Sequence, residues 1–422
     1  MRIPLITVII LFLLSFLCDW TIWSDIRHKA HRKIWSRLYA VSAVVCWIFL
    51  IVTLCLPRRS QDDGILTVMW MLYSYSTVYI AKTVYTIFSL LGRIPRLWGA
   101  RARNLGLWAG MPLGLLTFIC MWWGVFVTRH ELQVNRVEIV SERIPKPFDG
   151  YRITQFSDAH VGTWGNDTTF ISALVDSVNA TRPDLIVFTG DIVNRETGEL
   201  EPFLKVLRRL KAKDGVISVL GNHDYGDYVD WRHPSERDAN NALLAVWQRQ
   251  MGWRLLNNTH TFLTRDSDSI AIIGVENWGE PPFHQYGRLD KAYPHSADTA
   301  ASLTDARYKI LLSHNPEHWN REVTDVSNID LTLSGHTHAM QMMVSVGDWK
   351  WSPSQYRYEY WGGLYSRGRA DGGEALLYVN IGCGEVAIPF RIGATPEITL
   401  FTLRHSDSVK GETIKVNGSS KK

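Results

Sequence analysis

Leu185-Ile186-Val187-Phe188-Thr189-Gly190-Asp191-Ile192-Val193-Asn194 passes from four apolar residues into a glycine, an acid and an amide. A short apolar run bounded by turn residues reads as a buried strand, here Leu185 to Thr189. In an open α/β sheet, sites form beyond the carboxyl ends of strands. The same arrangement recurs along the chain. Arg152 to Ser157 leads into Ser157-Asp158-Ala159-His160, and Val216 to Leu220 into Gly221-Asn222-His223-Asp224. Lys309 to Ser313 leads into His314-Asn315, and Leu331 to Ser334 into Gly335-His336-Thr337-His338. All five motifs therefore have the means to converge on one sheet edge.

Working outward, further strands read at Val134 to Val140, Ile270 to Val275, Leu376 to Asn380 and Glu397 to Thr402. Asp167 to Ala180 has helical spacing, with Ile171, Leu174, Val175 and Val178 on one face. Leu200 to Leu210 is read as helical, with Phe203, Leu204, Leu207 and Leu210 inward. Residues 131–405 are expected to form one layered α/β domain. No internal repeat is evident. Residues 406–422 are polar, rich in Ser, Gly and Lys, and read as a disordered tail.

Residues 1–130 have a different character. Long uncharged runs predict membrane-spanning helices at about residues 3–23, 38–56, 65–91 and 105–128. No small-residue cleavage site follows the first run, so it reads as an uncleaved helix. Arg27, Lys29, Arg32, Lys33 and Arg37 lie between the first two runs, and Arg93, Arg96, Arg101 and Arg103 between the last two. The middle loop balances Arg58 and Arg59 with Asp62 and Asp63. By the positive-inside rule the first and third loops are cytoplasmic. Localisation in the cytoplasmic membrane with the α/β domain on the extracytoplasmic side follows as an expectation. Lys82 is expected to snorkel to the cytoplasmic side. Trp20, Trp23, Trp35, Trp98, Trp122 and Trp123 sit near run ends, as interface anchors do.

Composition excludes several classes. With 45 Lys+Arg against 41 Asp+Glu, the net charge of +4 is too small for a typical nucleic-acid binder. Four of the five cysteines lie inside the apolar runs, which excludes a secreted disulfide scaffold.

Carboxylate, amide and imidazole ligands suit Mn, Fe or Zn ions. No cysteine joins the set, which argues against a structural zinc site. Seven candidate ligands exceed the needs of one tetrahedral ion and would serve two ions sharing a carboxylate. Two such ions can hold phosphoryl oxygens and acidify a water. Any one motif alone also reads as a turn, a helix cap or a satisfied histidine. Their ordered recurrence at strand ends favours the site.

The ordered set Asp158-x-His160, Gly190-Asp191, Gly221-Asn222-His223-Asp224, His314 and Gly335-His336-x-His338 resembles the calcineurin-like metallophosphoesterase family. The resemblance covers roughly Tyr151 to Thr402. Gly363-Leu364-Tyr365 and the stretch from Pro389 to Ile398 are similar to the membrane-associated YkuE-type subgroup. It implies a four-layer αββα sandwich and a dinuclear centre. One ion would be held by Asp158, His160 and His338, the other by Asn222, His314 and His336, with Asp191 bridging. His223 would face the substrate as general acid or phosphate donor.

One departure stands out. The protein Ser/Thr phosphatases of this superfamily carry an Asp at the position of Asn194 and use it to orient the motif histidine. An amide cannot stabilise an imidazolium by charge. Asn194 and Arg391 are candidate substrate contacts, though Arg391 also suits a structural salt bridge. The segment from Asp348 to Asp371 holds Trp349, Trp351, Tyr356, Tyr358, Tyr360, Trp361 and Tyr365. It reads either as a substrate lip or membrane-facing patch, or as a loop packing its own side chains.

The leading expectation is a membrane-anchored phosphohydrolase acting on a phosphorylated small molecule or lipid, with no nucleic-acid partner. A non-catalytic metal-binding receptor or scaffold is the alternative. A transporter built on the helices has Lys82 alone in its favour.

Overall fold

The computed structural model describes residues 5–27, 33–57, 65–95, 104–281, 284–294, 306–347, 349–369, 371–407, 413–416 and 419–421. The chain divides into two units. One comprises residues 1–127 together with Ala387–Ile392, and the other the rest.

The first unit is helical: α1 (Leu5–Arg27), α2 (Lys33–Cys55), α3 (Ile65–Leu91) and α4 (Gly106–Phe126). Three of them, α1, α2 and α4, are long and apolar enough to cross a membrane. In α3 an apolar start gives way to the hydroxyl-bearing run Tyr73-Ser74-Tyr75-Ser76-Thr77, then Tyr79, before reaching Lys82. Those hydroxyls bond within the unit, Tyr73 to the Met121 carbonyl at 2.7 Å and Tyr75 to Ser15 at 2.6 Å.

The α1 helix runs past the expected end because its acids are paired. Asp19 Oδ1 accepts from Tyr39 at 2.7 Å and from Lys82 at 2.8 Å; Oδ2 accepts from Trp47 and Tyr79, each at 2.8 Å. One carboxylate thus ties α1 to α2 and α3. Asp25, six residues on, ties α1 to α3 and the turn after it, accepting from Ser89 at 2.6 Å and from Arg93 at 2.8 Å. Lys82 was expected to snorkel, but a charge in lipid is better stabilised by a buried partner than by reaching for the interface. The basic loop residues Lys29, Arg32, Arg58, Arg59, Arg96, Arg101 and Arg103, with Asp62, Asp63 and Trp98, lie outside the described residues.

The short segment Ala387–Ile392 belongs to this unit despite its distance in sequence. Phe390 stacks on Tyr73 with centroids 5.5 Å apart. The Arg391 N–H donates to the Gly124 carbonyl at 3.3 Å.

The second unit carries β1 (Gln133–Ser141), β2 (Arg152–Phe156), β3 (Leu185–Phe188), β4 (Val216–Ser218), β5 (Trp253–Leu255), β6 (Thr259–Arg265), β7 (Asp268–Gly274) and β8 (Tyr308–Leu312). These are followed by β9 (Leu331–Ser334), β10 (Val344–Val346), β11 (Trp349–Trp351), β12 (Gly363–Gly368), β13 (Glu374–Val379), β14 (Glu397–His405), β15 (Thr413–Val416) and β16 (Ser419–Lys421). One sheet has the order β16-β15-β1-β14-β2-β3-β4-β5, and a second β12-β13-β9-β8-β7-β6. Strands β2 to β5 are mutually parallel, as are β7, β8, β9 and β13.

Side-chain alternation explains the layers. In β3, Leu185 and Val187 join Ile310, Leu312, Leu333 and Tyr378 of the other sheet in a core between the two sheets. Ile186 and Phe188 point to the opposite face, onto α5 (Thr169–Ala180) through Phe170, Leu174 and Val178. Leu311, Leu377 and Val379 of the second sheet cover Leu289, Trp319 and Val323 on its outer face. The result is the expected αββα stacking.

Three local expectations differ. Leu200 to Leu210 is not one helix but the end of a 3₁₀ run (Thr197–Phe203) followed by a single α-turn, α6 (Leu204–Leu207), because Pro202 interrupts the helical ladder. The helix α7 (Pro234–Gln250) is polar, with Leu244 and Gln248 its buried residues, so its apolar stripe is too thin to read. The tail read as disordered contains β15 and β16, which extend the first sheet by pairing Thr413–Val416 against Val140–Val137 of β1. An open strand edge is a template for such pairing.

Replacing Asp19 by Leu strands Lys82 and three polar donors among apolar helices. The Asp19→Leu variant in detergent should lose about 2–4 kcal/mol of stability. Asp19→Leu with Lys82→Met should recover much of that loss. Equal stability of the single and double variants would show that the pair is not coupled.

Candidate dinuclear metal centre

The five motifs leave the carboxyl ends of β2, β3 and β4 in one sheet and of β8 and β9 in the other. Parallel pairing brings these ends to the same side. Gln155 of β2 ties them together: its buried amide donates to Thr189 at 3.0 Å and to the Ser334 carbonyl at 2.9 Å.

Two ligand groups result. Asp158, His160 and His338 present atoms within 4.8 Å of one another, and so do Asp191, His314 and His336. Asp191 Oδ2 lies 3.1 Å from His314 Nε2 and 3.7 Å from His160 Nε2, so one oxygen faces both groups. Asp158 Oδ1 lies 3.2 Å from His338 Nε2 and 4.0 Å from His314 Nε2.

The residues fit two cations. Imidazole nitrogens face one another at 3.1 Å (His160 and His338) and 3.2 Å (His336 Nδ1 and His314 Nε2). Such pairs leave lone pairs directed at common points. His314 donates from Nδ1 to the Thr189 carbonyl at 2.7 Å, which leaves Nε2 as the nitrogen able to take an ion. Asn222 has a buried Oδ1 with no protein partner.

The backbone is bent to make this possible. Asp158, His160, Asp191, His336 and His338 all have positive φ, between 39° and 76°. Left-handed conformations in non-glycine residues cost energy and collect at functional sites. Gly190 is required on two counts. Its φ is +98°, and a Cβ there would lie 2.5 Å from the Gly221 nitrogen and 2.8 Å from His314 Nδ1.

Asp224, not itself one of the seven candidate ligands, holds these loops. Its carboxylate accepts from the N–H groups of Asp191, Ile192, Val193 and Gly221, at 2.8, 2.9, 3.3 and 2.9 Å. Burial and the nearby Asp191 push it up to about 7, against those four donors.

His223 is held by four contacts. Its N–H donates to Asp191 Oδ1 at 2.8 Å, and its Nδ1 donates to the Asn194 carbonyl at 2.6 Å. The ring stacks on Tyr228 at 4.2 Å and stands edge-on to His160 at 4.9 Å. Asn194 therefore acts through its backbone. Its side-chain amide donates instead to Thr163 at 2.8 Å. Burial lowers His223 below the ordinary histidine range, so a neutral ring with Nε2 outward is the resting form.

Arg391 is placed with the helical unit and is fully buried. A sealed guanidinium suits the structural alternative rather than a substrate contact.

Two tyrosines border the site, Tyr228, which the sequence reading missed, and Tyr358, which it grouped with the aromatic segment. Tyr228 accepts from Asn222 Nδ2 at 2.8 Å, which fixes the amide so that its Oδ1 is the oxygen able to take an ion. Tyr358 lies 3.2 Å from His336 Nε2 through its hydroxyl. The aromatic segment splits accordingly. Tyr358 reaches the site, while Tyr360 packs on Trp319 and Tyr365 bonds to the backbone of Trp361 and Gly362.

Residues 151–340 match the family "Calcineurin-like phosphoesterase". Residues 1–129 match "Probable Calcineurin-like phosphoesterase, transmembrane domain". The metallophosphoesterase YkuE of Bacillus subtilis is 31% identical over 284 residues, covering 67% of this chain and 89% of that protein.

This chain belongs to the calcineurin-like phosphoesterase family.

A Danio rerio transmembrane protein with metallophosphoesterase domain is 27% identical over 69% of this chain, which spans 62% of that relative. The UDP-2,3-diacylglucosamine pyrophosphatase LpxG of Chlamydia muridarum is 28% identical, covering 54% of this chain and 74% of that protein. The family uses a dinuclear metal site, so the protein is a metal-dependent phosphoesterase carried by a transmembrane domain.

Two outcomes are expected. Tyr228→Phe loses the bond that orients Asn222 and should weaken Mn²⁺ binding about three- to tenfold by calorimetry. Unchanged affinity would show that Asn222 needs no such support. Burial pulls His314 down, but Asp191 and Asp158 more than offset it and raise it to about 9. An ion taking Nε2 must displace that proton, so affinity should fall as pH drops below 9. Calorimetry at pH 7.5 in buffers of different ionisation enthalpy should show about one proton released from this group. No release would refute the assignment.

Proposed function

We propose that this protein is a membrane-anchored phosphohydrolase whose two divalent ions are held by Asp158, His160, Asp191, Asn222, His314, His336 and His338. Its substrate is an envelope or lipid-linked phosphoester or pyrophosphate. The observation that carries this reading is Asp191 Oδ2, a single buried oxygen facing both ligand groups. Two ions in such a site supply Lewis acidity and a nucleophile at neutral pH. The identity of the ions is Mn, Fe or Zn by ligand chemistry.

His223 is the proton-handling residue. The Asn194 carbonyl accepts the Nδ1–H hydrogen bond, which leaves Nε2 of the neutral ring as a lone pair; once it has taken up a proton, Nε2 can pass that proton to the leaving oxygen or donate a hydrogen bond to a phosphoryl oxygen. The stack on Tyr228 keeps the ring from turning. The buried cluster excludes bulk water, which strengthens every charge–dipole contact there.

The transmembrane domain supports a substrate at the bilayer. So does the similarity to LpxG, a UDP-2,3-diacylglucosamine pyrophosphatase. The basic first and third loops support a catalytic unit on the extracytoplasmic side.

Purified full-length protein with Mn²⁺ should hydrolyse p-nitrophenyl phosphate or an organic pyrophosphate. Asp191→Ala should be inactive, and His223→Ala should retain its metal with kcat reduced about 10²- to 10³-fold. Equal activity of wild type and Asp191→Ala would sink the proposal. A reporter fused after Lys422 should be active outside the cytoplasm. Cytoplasmic activity would reverse the orientation.

A further inference from the structure

The strands β10 and β11 form a small hairpin that belongs to neither large sheet. Val344 pairs with Trp351, Ser345 with Lys350 and Val346 with Trp349. Paired residues share a face and alternate along each strand. Val344, Val346, Trp349 and Trp351 therefore make one face, and Ser345 and Lys350 the other. The apolar face is open. Val346 is 69% exposed and Trp349 59%. Tyr356, 78% exposed, extends it, with its hydroxyl 3.5 Å from Trp351 Nε1.

A two-stranded hairpin is marginal by itself in water, and valines and tryptophans gathered on one open face need a cover. Three features choose the cover. Tryptophan on an apolar face with a lysine opposite is the composition of a membrane–water interface. The chain carries a transmembrane domain, so a bilayer is always present. Six residues separate the end of α4 at Phe126 from the start of β1 at Gln133, a tether of at most about 25 Å.

We infer that the Val344–Trp351 hairpin lays its valine–tryptophan face into the lipid surface. Lys350 and Ser345 stay on the aqueous side, where the ammonium suits anionic headgroups. The hairpin follows the His338–Gln341 turn after two residues. Its anchoring therefore holds the His336–His338 loop at the lipid surface. That the anchored loop then meets a lipid-linked phosphate rests on the phosphohydrolase reading; the anchoring itself does not.

The test needs no turnover. A benzophenone amino acid is placed at 345, 346, 349 or 350 in the full chain, reconstituted in phosphatidylethanolamine–phosphatidylglycerol vesicles. Irradiation should give lipid adducts at 346 and 349, at least fivefold above 345 and 350. Adducts to a second copy of the chain or to another protein would overturn the inference, as would equal lipid labelling at all four positions or none. Loss of phosphatase activity with lipid adducts intact would count against the proposed function alone.

Discussion

Two carboxylates, Asp158 and Asp191, are buried among four imidazoles, and the catalytic unit is arranged around that fact. Uncompensated charge cannot be taken out of water cheaply. His314, His338, His160 and the N–H of His223 supply the compensation here, at 3.1 to 3.7 Å for the imidazoles facing a carboxylate oxygen and 2.8 Å for the amide. Meeting those distances requires five strand ends from two sheets to arrive together. It also requires backbone bends that L-residues resist, from Asp158 at φ 53° to His336 at φ 76°. Asp224 stabilises these bends by gathering four N–H groups on one carboxylate.

The helical unit meets the same constraint in a harsher solvent. Asp19 is surrounded by Tyr39, Trp47, Tyr79 and Lys82, two donors to each oxygen. In both units an acid joins segments far apart in sequence, because several donors must converge on it. In the helical unit the consequence is cohesion among α1, α2 and α3. In the catalytic unit it is a site with two adjacent cation positions.

The aromatic excess, 18 tryptophans in 422 residues, also resolves into separate tasks. Trp47 donates to Asp19, while Trp319 packs under the second sheet. Trp349 remains open on a hairpin. Tyr358 and Tyr228 border the ligand groups and set the direction of His336 and Asn222. One composition value concealed structural, orienting and surface roles.

The sequence by itself determined the layered α/β class, the membrane character of the first 130 residues and the placement of all five motifs at strand ends, while the αββα order came through the family resemblance those motifs carry. It could do so because apolar strands, long uncharged runs and Asp-x-His or Gly-His-x-His patterns are carried by side-chain identity over a few adjacent positions. Tertiary structure alone decided how Asn194 is used, since a carbonyl oxygen has no residue-specific letter. It decided the Asp19–Lys82 pair, whose members stand 63 positions apart. It placed Arg391 and Phe390 with the helices, and it extended the first sheet with a tail that composition marks as polar coil. In each case the deciding contact joins groups distant along the chain, and only folding brings such groups within hydrogen-bonding range.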